Sequence, residues 1–171
     1  MSDTLITIIA IALAAILMFI FPLMTMSDRT DDVAQLTVDT ATTEFVDDIR
    51  TTGKITPEKY DQFVQSTGNT YNVEMQAQIL DENPGKKTTQ TSSEKIGENV
   101  YYSVYTSQIE DKLKSNSGVY KLKEGDIVSV DVKNTNQTLS QQLKNFFYKV
   151  VGNDTYTIAA SHGGIVTATG K

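Results

Sequence analysis

The sequence predicts an α+β protein: a long N-terminal helix packed against a small antiparallel or mixed sheet with short helices. Three observations carry this. An uncharged apolar run, Leu5 to Met26, opens the chain. Behind it apolar residues recur at helical spacing as far as Ile49. After that, short stretches alternate apolar and polar residues between turn-forming glycines, prolines and asparagines.

Within the first run only Thr7, Pro22 and Thr25 interrupt the apolar character. A transmembrane helix needs about 20 such residues to cross roughly 30 Å of hydrocarbon, so segment 5–26 qualifies. A secretory signal combines a cationic start, a shorter apolar core and a small-x-small cleavage site. Here Met1-Ser2-Asp3-Thr4 carries no Lys or Arg, and the expectation is a retained membrane segment. Counting cations, Arg29 and Arg50 follow the span and none precedes it, which by the positive-inside rule leans towards a cytoplasmic C-terminal part. Four residues ahead of the span give that rule little to act on, and the Thr-, Asn-, Gln- and Ser-rich remainder favours the outside. Pro22 removes one backbone hydrogen bond and is read either as a tolerated membrane proline or as a weak point where the helix bends. Ala10, Ala12, Ala14 and Ala15 are ordinary membrane composition or small surfaces for close helix approach.

The helical pattern continues past the span. Ala34, Val38, Ala41, Phe45 and Ile49 recur at spacings of four, three, four and four, one stripe of an amphipathic helix, and Gly53 supplies a stop. The predicted helix runs from about Thr4 to Thr52, roughly 70 Å at 1.5 Å per residue. Residues 1–53 are this helix, with segment 5–26 for membrane and assembly, and 54–171 form a head domain. No Gly/Ser/Pro-rich linker separates the two, as it does in a simple tether.

In the head, Thr56 is the predicted N-cap of a short helix with Pro57 at its first position, Glu58 in its first turn and Gly68 at its end. Tyr60, Phe63, Val64 and Thr67 form its inner face. Tyr71, Val73, Met75, Ala77 and Ile79 alternate as a half-buried strand, and residues 81–97, with Pro84-Gly85, read as an exposed loop. Val100 to Tyr105 is a further strand. Ser107 and Glu110 have capping-box spacing for a short helix ending near Gly118. Val128, Val130 and Val132 mark a strand, and Leu139, Leu143, Phe146, Phe147 and Val150 an amphipathic helix that Gly152 ends. Tyr156 to Ala160 is a strand that Ile165 to Ala168 continues or returns across a flexible His162-Gly163-Gly164.

Chemistry leaves little trace. The net charge of −6 and the absence of a Lys/Arg cluster argue against nucleic acid. With no cysteine and one histidine, His162, disulfides, thiolate metal sites and two-histidine metal sites are ruled out. His162 reads as a surface imidazole at a strand bend. No Gly-x-Ser-x-Gly is present, and Gly85-Lys86-Lys87-Thr88 lacks the upstream glycine of a phosphate loop. Asp28, Asp31 and Asp32 lack calcium-loop spacing and read as a solvated helix turn beyond the headgroups. Asn136 and Asn153 open glycosylation sequons. No catalytic residue, cofactor or metal is expected.

At this point the chain resembles a known layout. An N-terminal helix, apolar then amphipathic, followed by a small α+β head, resembles type IV pilins and pseudopilins. The stretch "VDTATTEFVDDIRTTGKITPEKYDQFVQSTGNTYNVEMQ" and the later "GDIVSVDVKNTNQTLSQQLKNFF…IAASHGGIVTATG" resemble TadE-like pilus subunits of tight-adherence (Tad/Flp) systems of Gram-positive bacteria. The resemblance implies a pilin-like subunit, single-pass in the membrane with its head outside before assembly and in a cell-surface filament afterwards. It would pack against like subunits or other pilins and depend indirectly on an assembly platform and a cytoplasmic ATPase. Assembly residues on this reading are Asp3, Leu5, Ile9, Ala12, Ala15, Phe19 and Pro22; helix-to-head packing falls to Ala34, Val38, Ala41, Phe45 and Ile49. The chain departs from the pattern at its start, where no cationic leader precedes the apolar run and Leu5 stands where many mature pilins have Glu; Asp3 is the acid near the terminus.

The expected function is that of a non-enzymatic structural subunit of a pilus-like filament or secretion pseudopilus. The alternative is a single-pass, membrane-anchored binding or scaffold component of a conjugation or secretion complex. A membrane-tethered hydrolase would need an acidic pair assembled by the fold.

Overall fold

The computed structural model describes residues 2–68, 71–81, 100–115, 118–135, 141, 142, 145, 149, 152 and 157–170. The architecture is mixed α+β with antiparallel sheets. The chain divides into two compact units, Met1–Leu36 with Asn136–Ile158 and Thr37–Thr135 with Ala159–Lys171.

Helix α1 spans Ser2–Thr52 without interruption at Pro22. Proline lacks the N–H for one i→i−4 bond but holds a helical φ, so the ladder loses a rung and the helix goes on. Gly53 ends it with a φ of +68°, which a side chain would disfavour. The Gly53 N–H donates to the Ile49 carbonyl at 2.8 Å.

The larger unit is built on a four-stranded antiparallel sheet in the order β3-β2-β5-β6, with β2 at Tyr71–Asp81, β3 at Val100–Tyr105, β5 at Ile127–Asn134 and β6 at Ala159–Ile165. Strict alternation explains β2 and β5. Their register pairs Val73 with Val132, Met75 with Val130 and Ala77 with Val128, so one face collects the apolar side chains. The other face carries Gln76, Gln78, Ser103, Ser129 and Ser161. Against the apolar face lies the second half of α1: Val38, Phe45, Val46 and Ile49 belong to the same buried cluster as Met75, Ala77, Val128, Val130 and Val132. Burying each such side chain contributes about 1.5–3 kcal/mol.

Two short helices close the cluster. In α2 (Pro57–Thr67) the Thr56 side chain accepts the Lys59 N–H, Pro57 begins the helix, and Gly68 ends it. Phe63 stacks on Phe45, ring centroids 4.4 Å apart. Helix α3 occupies Thr106–Lys114, starting before the residue expected to cap it. Ser107 lies inside the helix, and the real closure is the Tyr105 N–H donating to Gln108 Oε1 at 3.1 Å. The expected end near Gly118 is also late, since Ser115 already closes the helix.

Two pairings are too short to have a sequence period. β1 (Lys54–Ile55) runs antiparallel to β4 (Tyr120–Lys121). Near them the end of the chain folds back on α1: the Thr167 N–H and hydroxyl both donate to the Arg50 carbonyl, at 2.8 and 3.0 Å. The Leu122 N–H donates to the Gly53 carbonyl, and the Gly170 N–H to that of Leu122.

Three expectations need correction. β6 passes straight through His162-Gly163-Gly164, so of the two expected readings the strand continues and does not bend or return; Thr157 and Ile158 precede the strand, and Val166 to Ala168 follow it. Its glycines answer to neighbours rather than to a turn: a Cβ at Gly163 would sit 3.0 Å from Ser129 Cβ, and one at Gly164 2.6 Å from Arg50 Nε. His162 is accordingly mid-strand and only partly exposed. Asp31 is not solvated but 2% exposed, with Asp28 half-buried beside it and only Asp32 fully outside. In the same unit Gln141 and Asn145 are buried polar side chains too, and none of these four lacks a partner. The expected loop after Asp81, the apolar residues of the expected 139–150 helix, and both sequon asparagines lie outside the described residues; Gln141, Gln142, Asn145 and Lys149 are helical.

Candidate functional site

The first half of α1 is the most unusual surface of the chain. Asp3 to Ile20 is an 18-residue stretch long and apolar enough to cross a membrane, and none of it is buried. A signal sequence would meet the same criteria. Leu5, Ile9, Ala12, Ala15, Phe19 and Pro22 are all exposed, Phe19 at 72%. Contiguous apolar surface of this extent is foreign to a soluble monomer and marks contact with lipid or protein.

Inside the run the Thr7 hydroxyl is satisfied by the helix: Thr7 Oγ1 donates to the Asp3 carbonyl at 2.7 Å. Beyond it Thr30 Oγ1 donates likewise to the Met26 carbonyl at 3.1 Å. Such back-bonding removes the cost of an open hydroxyl in an apolar medium. Asp3 lies in the first turn, where a carboxylate meets the positive end of the helix dipole.

The second set of sequence-derived residues stands in a different environment. Val38, Phe45 and Ile49 are buried in the core, while Ala34 and Ala41 are half-buried. Thr42 and Val46, which the stripe omitted, are fully buried. Thr42 disposes of its hydroxyl by donating to the Val38 carbonyl at 2.7 Å.

The larger unit carries polar clusters of structural character. Arg50 Nε donates to the Ile165 carbonyl at 3.0 Å while Nη1 meets Asp47 at 2.8 Å; His162 Nε2 is 3.7 Å from the same carboxylate. The Tyr60 hydroxyl donates to Glu110 at 2.8 Å, and Lys114 pairs with Glu110 at 3.2 Å. Burial, followed by that hydrogen bond, pushes the Tyr60 hydroxyl well above its ordinary value; the same bond holds Glu110 below its own. Among the described residues no group of three or more His, Asp or Glu side chains is placed to hold a metal ion.

Sequence reasoning missed two residues of the helix surface. Val33 and Leu36 lie beyond the apolar run yet are 64% and 67% exposed. Their signal was available, since they lie three residues apart among Asp31, Asp32, Gln35 and Thr37, but the buried stripe drew the reading to the other face.

The chain matches no protein-family profile, no curated protein and no solved structure.

Proposed function

We propose that this chain is a non-enzymatic structural subunit that polymerises through its N-terminal apolar helix into a pilus-like filament or secretion pseudopilus. What supports it is a single observation: α1 is exposed and apolar over Asp3–Ile20 and, as the same unbroken helix, enters the hydrophobic cluster of the head through Val38, Phe45 and Ile49. A plain anchor needs the first feature and not the second. When such helices leave lipid and pack on one another, apolar surface exchanges one apolar neighbour for another, so close packing decides the balance. On this reading the chain begins as a single-pass membrane protein with its head outside and ends in a surface filament. It fits the resemblance to TadE-like pilus subunits, with Asp3, Leu5, Ile9, Ala12, Ala15, Phe19 and Pro22 in the assembly core. Assembly platform and ATPase would be supplied by other proteins.

Shearing intact cells and probing sheared and membrane fractions, with electron microscopy of the former, tests it. Filaments rich in this chain are expected. Chain confined to membranes, without filaments, would leave the anchored binding component as the better reading. That second reading draws on Tyr101, Tyr102 and Tyr105, exposed along β3, since exposed aromatics with a polar tip are common at binding surfaces.

A further inference from the structure

Three lysines far apart in sequence meet on the short ladder that follows α1. β1 and β4 place Lys54 directly opposite Lys121 and Ile55 opposite Tyr120. Residues opposite each other share a face, with Cβ atoms about 4.5–5.5 Å apart. Ile55 is fully buried, so its face of the ladder turns into the core and the lysines leave from the other. The pairing runs on past Lys121, since the Leu122 N–H donates to the Gly53 carbonyl. Leu122 is buried as well, and the same alternation returns Lys123 to the side of Lys121. Lys121 and Lys123 are exposed, and Lys54 is half-buried.

Their charges stand uncompensated. Among the described residues the ion pairs engage Arg50, Lys59, Lys114 and His162, and none of these three lysines. Glu124 follows Lys123 in sequence without pairing to it. Asp126 is buried, and its carboxylate is taken by the Leu80 and Lys123 N–H groups. Like charges directly opposite weaken a ladder, and this one has only two residues in each strand. A patch of positive charge thus stands on a chain whose net charge is −6.

We propose that Lys54, Lys121 and Lys123 form a docking surface for a phosphate-bearing polyanion, with one phosphate between Lys54 and Lys121 and the next at Lys123. This is independent of the filament reading and adds a binding activity to the head.

The side-chain chemistry selects phosphate over an acidic protein. Ammonium groups are point charges with freely turning donors and meet a phosphate oxygen from any direction, whereas planar carboxylates match the fork of arginine. No arginine joins the patch: Arg50 is already engaged by the Ile165 carbonyl and Asp47. Geometry selects a polymer over a single ion. Lys123 stands about 7 Å along the strand from Lys121, so the charges form a short row rather than a closed cage. A single-stranded nucleic acid would add base stacking on aromatic rings, and Tyr120 alternates to the opposite face of the ladder. Lysines also guard exposed strands against pairing with other chains; that role needs no opposed pair and predicts no binding.

Titration of the full chain, in uncharged detergent micelles, with long-chain inorganic polyphosphate tests the proposal. Three neutralised phosphates predict an affinity falling about 20-fold between roughly 50 and 200 mM salt. Lys54→Gln/Lys121→Gln/Lys123→Gln is expected to lose this binding. Lys112→Gln/Lys133→Gln/Lys149→Gln removes the same charge from exposed positions elsewhere and should keep the affinity within about twofold. Lys121→Gln alone should weaken binding while leaving the urea midpoint unchanged or higher, because it also relieves the opposition to Lys54. A merely structural lysine does not give that combination. The proposal is overturned if the first triple variant binds as the parent does, or if the second loses as much. Equal affinity for poly-L-glutamate overturns it too, in favour of an acidic protein partner.

Discussion

Thr106 and Met75 exchange two hydrogen bonds: Thr106 Oγ1 accepts the Met75 N–H at 2.7 Å and donates to the Met75 carbonyl at 3.2 Å. β3 pairs with β2 only as far as Tyr105 opposite Gln76. The first side chain of α3 thus takes over the ladder for the next residue of β2. Thr106→Val keeps the shape and removes both bonds. The expected loss is about 1–3 kcal/mol for each backbone group left without a partner. Tyrosine fluorescence in urea, on the full chain in detergent micelles, should show the midpoint falling by about 1 M.

Asp126 is the second such junction. Its carboxylate, 1% exposed, accepts the Leu80 N–H at 2.8 Å through one oxygen and the Lys123 N–H at 2.7 Å through the other. Its carbonyl accepts the Val166 N–H, so β2, the turn before β5 and the segment after β6 meet at one residue. Asp126→Asn puts an NH₂ against one of those N–H donors. It is expected to destabilise by about 1–3 kcal/mol, and Asp126→Ala by more. The same unfolding measurement ranks the two, and an Asn variant as stable as the native chain would contradict this role.

The contact between α2 and α3 sets a pH dependence. Glu110 lies below its ordinary 4.5 because the Tyr60 hydroxyl donates to it, with Lys114 adding to the effect against the penalty of burial. A lowered folded value gives stability that is present above the ordinary value and lost as pH falls through the folded one. Tyr60 runs the other way: raised above 10.0 by burial first and Glu110 second, it contributes below its ordinary value and loses that contribution as pH rises through the folded one. Glu110→Gln should therefore flatten the acid side of the stability profile below the ordinary carboxyl value of 4.5, read from urea midpoints on either side of it. Because Gln still accepts the Tyr60 hydroxyl, the alkaline loss should shrink but remain.

Gly53 tests the closure of α1. It combines a φ of +68° with a position where a Cβ would run into the Ala168 carbonyl oxygen and backbone atoms of Thr169 and Gly170. Those are main-chain atoms that cannot swing aside. Gly53→Ala is expected to cost several times the ~1 kcal/mol of an ordinary glycine-to-alanine strain. Deleting the residues after Ile165 should cost a similar amount by opening the Arg50 and Leu122 carbonyls. Unchanged unfolding in either variant would show that the tail does not brace the helix.

The stack of Phe63 on Phe45 ties α2 to α1. Phe63→Leu leaves an apolar side chain but no ring, and Phe63→Ala leaves a cavity, with expected losses of roughly 1–2 and 3–5 kcal/mol. The ordering of the two midpoints separates lost stacking from lost volume.

Much of this architecture is written in local patterns. α1 is legible because a 3.6-residue period persists to Ile49 and Gly53 stops it; α2 because Thr56, Pro57 and Gly68 each sit at the position their chemistry favours. β2 and β5 show because the alternation of Val, Met and Ala with polar residues is unbroken. What escaped was decided by neighbours remote in sequence. Gly163 and Gly164 look like a hinge, yet they are small because Ser129 and the Arg50 side chain lie over them. Asp31 looks like a surface acid, yet its helix face is buried. Gln108, not Ser107, closes the start of α3, a choice made by where the strand before it ends. The candidate site was legible in its apolar half, where composition alone marks it. Val33 and Leu36 were passed over although their signal was present, because one helix period accommodates apolar residues on two opposite faces and the buried face accounted for the pattern as far as Ile49.

The clasp of Thr167 on the end of α1 has a consequence for biosynthesis. The apolar half of α1 is the earliest part of this sequence to be made, whereas the carbonyl of Arg50 receives its partners from residues synthesised more than a hundred positions later. β6, an outer strand of the sheet, also comes late. The head therefore has no closed form to adopt while only its first part exists, and the apolar half of α1 can meet its own surroundings during that interval. Final closure of the sheet and of the contact with Arg50 waits until residues 159–170 have been made.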